Sequence, residues 1–196
     1  MSTGKPIDNI GGIVADKIDG NATVYNEYNY VEKRKIYSLL PHFIKDLAKI
    51  TLTEGLECPD EILREYDISE KIPYNNLVKH KDIADNFGEF YLSCENSFLS
   101  IAKNIPFAKE RILRSINSLY IKVRADYVSK YAPKTPLMQV IKENADNIID
   151  NIYEELKDRL HSDAMIKINE EDIDYCLPIF LGYAFAECKI LEKPPK

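Results

Sequence analysis

From Val31 onward, apolar residues recur at intervals of three and four, and this spacing restricts the chain to helices that pack by one face. Ile36, Leu39, Leu40, Phe43, Ile44, Leu47 and Ile50 form the first stripe; Pro41 within it either kinks one helix or opens a second at its first turn. Ile62, Leu63 and Tyr66 predict a short helix between Pro59 and Asp67. Ile72-Pro73-Tyr74-Asn75-Asn76 reads as a loop or extended connector, because the residue before proline avoids the α region. A longer helix then carries Leu77, Ile83, Ala84, Phe87, Tyr91, Cys94, Phe98 and Ile101, and Gly88 weakens its middle by about 1 kcal/mol relative to Ala.

Pro106 opens the next helix, whose stripe is Ile112, Ile116, Leu119, Tyr120, Val123 and Tyr127. Thr135-Pro136 sets a capping hydroxyl before a first-turn proline, and Leu137, Val140, Ile141, Ile148, Ile149, Ile152, Leu156 and Leu160 continue that helix. Asn169 caps the last helix, with Glu170, Glu171 and Asp172 where the helix dipole favours negative charge. Its apolar residues, Ile173, Cys176, Leu177, Phe180, Leu181, Ala184, Phe185 and Cys188, cover more than half the circumference. Such a helix is either central to the core or covered by a partner.

Residues 1–30 have a different texture, polar and rich in Gly, Asn and Tyr. Asp19-Gly20 separates the β-prone runs Ile13–Ile18 and Ala22–Tyr30, which predicts a short hairpin or strand pair. The alternative is a polar tail. Exposed strand edges are templates for pairing between chains, so this segment reads as an oligomerisation or docking element. The expected fold is mainly α, a bundle of about five to six helices over 31–196, with this β appendage at 1–30.

At 196 residues, roughly 70% of the unfolded surface can be buried, so no metal or disulfide is required for a core. A net charge of −6 gives little gain from phosphate neutralisation and disfavours nucleic acid as the default partner. Cys58, Cys94, Cys176 and Cys188 form no C-x-x-C pair and have no His at ligand spacing, which fits buried thiols in a reducing compartment. With no apolar leader and no run of about 20 apolar residues, the expected location is cytoplasmic, with no membrane contact.

No catalytic constellation is visible, and neither a cofactor nor a metal is expected. His42, His80 and His161 are far apart in sequence. Asp146, Asp150, Glu154 and Asp158 share a helix face, but Lys142 and Lys157 flank them, so a solvated face is expected rather than a cation site. Phosphate-binding glycine loops and a G-x-S-x-G elbow are absent. Lys109, Arg111 and Arg114, with Tyr120 and Tyr127, offer one basic face for a phosphate backbone. Tyr25, Tyr28 and Tyr30 cluster in the N-terminal segment; large rings with polar tips suit an interface, although packing on the helical body would use them equally well.

Three stretches carry a resemblance: Ile72-Pro73-Tyr74-Asn75-Asn76-Leu77-Val78 with Gly88-Glu89-Phe90, then Lys109 to Tyr120, then Tyr183 to Pro194. Together they resemble the small helical C-terminal domain of bacterial ABC-three-component conflict systems, which are related to Lamassu-type antiphage defence. The N-terminal Gly11-Gly12-Ile13 and Asp16-Lys17-Ile18 resemble segments that precede that domain. Family effectors carry a toxic domain ahead of this region, and none fits here. The resemblance therefore implies a non-enzymatic accessory subunit that self-associates and binds an SMC- or Rad50-like ATPase and an effector. Tyr25, Tyr28 and Tyr30 are its expected interface residues, joined by Phe180, Phe185 and Ile190 on the last helix. The alternative is a nucleic-acid-contacting subunit using Lys109, Arg111 and Arg114.

Overall fold

The computed structural model describes residues 14–18, 21–25, 38–53, 68–85, 90–163 and 166–195. They belong to two compact units, Met1–Ile36 and Tyr37–Lys196. In the first, β1 (Val14–Ile18) and β2 (Asn21–Tyr25) pair antiparallel, in a register running from Val14 opposite Tyr25 to Ile18 opposite Asn21. Asp19 and Gly20 lie outside the described residues.

The second unit is mainly α, with seven helices among its described residues. Helix α1 (Leu40–Thr53) begins where Pro41 occupies the first turn, a position whose N–H has no intrahelical partner in any residue. The Leu40 N–H is held by the Ser38 hydroxyl at 3.3 Å. Pro41 therefore starts this helix rather than kinking it. The short helix expected between Pro59 and Asp67 lies outside the described residues.

Helix α2 (Ile68–Asn75) overturns the expected connector, since Pro73 sits inside it. One proline removes one backbone bond, whereas the helix buries Ile68, Lys71, Ile72 and Asn75 on a single face. Its end is a Schellman closure. Asn76 takes a positive φ of 56° and donates to the Pro73 carbonyl at 3.1 Å, while Leu77 donates to Ile72 at 3.1 Å. Leu77 thus lies in a turn, not in the long helix expected to begin there. The helices that follow are α3 (Lys81–Asp85) and α4 (Tyr91–Ala102).

Helix α5 (Ala108–Val128) starts after Phe107, whose left-handed backbone (φ 60°, ψ 30°) redirects the chain; Pro106 stays in the preceding turn instead of opening the helix. Helix α6 (Leu137–Ser162) is preceded by Pro136 in an extended conformation, and its expected capping hydroxyl makes no cap bond. The Pro136 carbonyl instead accepts from Gln139 and Val140 at 3.0 and 3.3 Å. Asn169 does precede α7 (Glu170–Ala186), and the acidic first turn is present, but the Asn169 side chain makes no cap bond either.

Helix α7 is the centre of the bundle. Ile173, Cys176, Leu177 and every residue from Ile179 to Ala186 are buried. Its neighbours are α1, α3, α4 and α6. Phe43 of α1 stacks on Phe98 of α4 with centroids 4.3 Å apart and meets Phe180 of α7 at 5.0 Å. Phe98 and Tyr91 then meet Tyr183 at 5.5 and 5.4 Å. Such aromatic pairs add to the area term of burial.

The apolar surface of this helix is therefore covered by the chain's own helices. Phe180→Ala should lower unfolding free energy by about 3–5 kcal/mol, whereas Leu52→Ala, at an exposed position, should change it by less than about 0.5 kcal/mol; urea titration of both variants checks the contrast.

Candidate functional site

The residues expected to bind partners are not brought together. Phe180, Phe185 and Ile190 are 0%, 2% and 0% exposed, so they face the interior and offer nothing to a partner. The apolar face that suggested an interface is core. Tyr25 closes β2, while Tyr28 and Tyr30 lie outside the described residues.

The basic face is also altered. Arg111 and Arg114 are exposed, but Lys109 Nζ donates to Glu95 Oε1 at 2.6 Å, and Tyr183 Oη donates to the same oxygen at 2.6 Å. Burial works against the Glu95 charge, but the hydrogen bonds from Lys109 and Tyr183 outweigh it and hold the carboxyl below its ordinary range. The Lys109 charge is thus neutralised within the bundle, which leaves two arginines of the expected three cations. Lys109 and Arg114 do share a groove of about 600 Å³ with Asn117, Glu187, Cys188 and Lys189, but its carboxylates make it mixed in sign.

The acidic row on α6 is only partly a solvated face. Asp146 accepts the backbone N–H groups of Val78 and His80 at 3.2 Å, and Asp150 accepts Lys79 and the His80 ring at 2.7 and 2.8 Å. Two of the four carboxylates therefore pin the turn between α2 and α3, while Glu154 and Asp158 remain exposed. His161 pairs with Glu170 at 2.8 Å. Cys94 and Cys176 are buried thiols. Among the described residues, no group of three metal-ligating side chains converges.

The densest polar arrangement was not expected from the sequence. It gathers where the chain leaves α7. Lys71 of α2 is 1% exposed, and its Nζ donates to the Phe185 carbonyl and, at 2.9 Å, to the Ile190 carbonyl. The ammonium also sits 4.1 Å from the Phe185 ring centroid. Asn75, one turn along α2, accepts the Glu192 N–H and donates to the Glu192 carbonyl, both at 2.9 Å. From α5, Asn117 donates to the Lys189 carbonyl at 2.9 Å, and Tyr120 and Arg124 both donate to Glu192 Oε1. Residues 187–192 are thereby strapped between α2 and α5.

The strap turns sharply. Cys188 and Leu191 take positive φ of 53° and 58°, a region that costs non-glycine residues about 1 kcal/mol or more. Cys188 donates to Phe185 and Lys189 to Ala184 in a second Schellman closure. Burial pushes the Lys71 amine down from the ordinary 10.5 to about 8, although the adjacent Cys188 and Glu192 pull it partway back. At 1% exposure no substrate reaches this amine, so its chemistry is that of a clamp. A sequence signal for it existed: Ile68, Lys71, Ile72 and Asn75 fall at i, i+3, i+4 and i+7, which becomes visible once α2 is taken as a helix.

No family model matches this chain, and neither curated proteins nor solved structures give a match. Among the described residues, no helix is long and apolar enough to cross a membrane.

Lys71→Met should lower stability by about 1–3 kcal/mol, because the buried Ile190 carbonyl loses its donor while the Phe185 carbonyl keeps the Cys188 N–H. The unfolded chain holds the Lys71 proton up to about pH 10.5 and the folded chain only up to about 8. Between those values the unfolded state binds more protons, so this group makes the protein more stable as pH rises, by at most roughly 1.4 kcal/mol per pH unit. The buried thiols of Cys94 and Cys176, both raised, oppose this above the ordinary thiol value of 9.0, and the raised phenols of Tyr91, Tyr120 and Tyr183 oppose it above 10.0. Between about pH 7.5 and 9.5 the urea midpoint of the parent chain should rise relative to that of Lys71→Met, since the thiols contribute equally to both; parallel curves would refute the assignment.

Proposed function

We propose that this chain is a non-enzymatic adaptor subunit of a multi-component bacterial antiphage defence complex, acting in the cytoplasm through self-association and protein docking. The ATPase and effector partners follow from the resemblance to ABC-three-component systems. The single observation that supports docking is the ribbon of β1 and β2. Two strands alone are marginal in water, and among the described residues each pairs on one edge only. The other edges present backbone N–H and C=O groups to a further strand, from a second copy or from a partner subunit. The correction at Phe180, Phe185 and Ile190 moves the proposed interface away from α7 and leaves it with the N-terminal segment around Tyr25.

The nucleic-acid reading is weaker, because Lys109 is already paired with Glu95.

Successive strand residues direct their N–H groups to opposite edges, so Thr23→Pro and Val24→Pro test the paired and open edges separately. Light scattering after gel filtration should give an oligomer for the parent chain, and at least one variant should weaken association by about tenfold or more with helical circular dichroism unchanged. A parent chain that is monomeric at micromolar concentration, or variants that both associate and co-purify with the ATPase like the parent, would refute the docking assignment.

A further inference from the structure

Helices α1 and α4 border a second groove, of about 240 Å³. His42, Lys45, Asp46 and Lys49 line one wall, and Ser100, Ile101, Asn104 and Ile105 line the other, which is half apolar. The α1 residues fall at i, i+3, i+4 and i+7, so one helix face presents three basic side chains around one carboxylate. None of the ion pairs among the described residues involves any of these four. Arg111 and Arg114 on α5 are likewise without an ion pair among the described residues, but on α1 the unpaired cations surround an unpaired carboxylate.

Asp46 gives the groove a second requirement. Its Oδ2 is sealed from solvent and accepts no hydrogen bond. A buried oxygen without a donor costs about 1–3 kcal/mol, and neighbouring lysines would ordinarily relieve it. The carboxylate torsion of aspartate is soft, so a small rotation turns the orphaned oxygen toward a donor arriving in the groove. His42 lies in the first turn of α1, where the helix dipole is positive, while the opposite wall is the C-terminal end of α4, so the lysine side chains supply the positive potential.

We propose that this groove binds a small phosphomonoester that carries a hydroxyl group. The phosphate sits among Lys45, Lys49 and His42, which match a dianion in charge; the hydroxyl donates to Asp46, and Ser100 and Asn104 close the opposite side. The ligand class is a sugar phosphate or a nucleotide, bound as a free metabolite. The site is separate from the strand ribbon, so it adds a small-molecule input to the chain and does not depend on the docking reading.

The test is calorimetric titration of the full chain with ribose 5-phosphate, inorganic phosphate and ribose. Ribose 5-phosphate should bind with a dissociation constant at or below about 1 mM, at least about tenfold tighter than either of the others. Lys45→Glu with Lys49→Glu should abolish binding while leaving circular dichroism and self-association unchanged, because both side chains are exposed. Asp46→Ala, which removes the acceptor, should bring ribose 5-phosphate to the affinity of inorganic phosphate. Absence of binding, equal affinity for inorganic phosphate in the parent chain, or binding that survives the double charge reversal would each overturn the proposal. Binding of vesicles containing a phosphoinositide, with no binding of ribose 5-phosphate, would overturn it in favour of a lipid headgroup.

Discussion

Helix α7 has almost no side to give to water. From Cys176 to Ala186 every residue but the half-buried Pro178 is buried, and that proline removes one backbone donor. A helix of this kind is stable only when other helices surround it, and α1, α3, α4 and α6 supply that cover. The order of the bundle follows from this. The aromatic contacts of Phe43, Phe98 and Tyr183 occur where α1, α4 and α7 meet, and the largest buried side chains concentrate around the same axis.

Burying a helix to its last residue creates a difficulty at its C-terminus. The final carbonyls have no intrahelical partner and, here, little access to water. Glycine commonly solves the problem by turning the chain outward. This chain instead turns at Cys188 and keeps Ile190 and Leu191 buried, so the carbonyls of Phe185 and Ile190 face the interior. Lys71 answers with a positive charge at the negative end of the helix dipole. Burying an ammonium opposes folding by several kcal/mol on its own, but two carbonyl acceptors, the dipole and the Phe185 ring all favour the charge. The lowered pKa records what remains of the conflict: desolvation is reduced but not cancelled. Asn75, Asn117 and Glu192 extend the same solution along the strap, so α2 and α5, which are distant in sequence, are joined through the end of α7.

The helical class, the central role open to α7 and the acidic start of that helix were all legible in apolar spacing and charge. What was not legible follows one pattern. Prolines were read as boundaries, yet Pro73 lies inside α2, Pro106 lies outside α5, and Pro136 precedes α6 with no help from a side-chain cap. At Pro73 burial of one helix face outweighed the loss of one bond, whereas Pro106 and Pro136 still mark boundaries and sit one or two residues ahead of the helix. The misreading of α2 concealed the clamp, because Lys71 and Asn75 look like ordinary polar residues until they are placed on the buried face of a helix. Glu192 was hidden differently: a carboxylate before Pro194 resembles a solvated tail, and only the fold brings Tyr120 and Arg124 to it.

The same comparison separates the charges by role. Glu95, Asp146, Asp150 and Glu192 look like surface residues in the sequence, but each holds two elements together. These bonds use the acidic excess of the chain from within and also draw Lys109 out of the basic face on α5. The cations on α1 are without an ion pair among the described residues, as are Arg111 and Arg114 on α5, and what distinguishes them is the carboxylate among them. They persist on a helix whose one carboxylate, Asp46, keeps an oxygen unsatisfied beside them. Lys45 and Lys49 are near Asp46 in sequence and no ion pair forms, so a buried acceptor is left without a donor where one was close at hand.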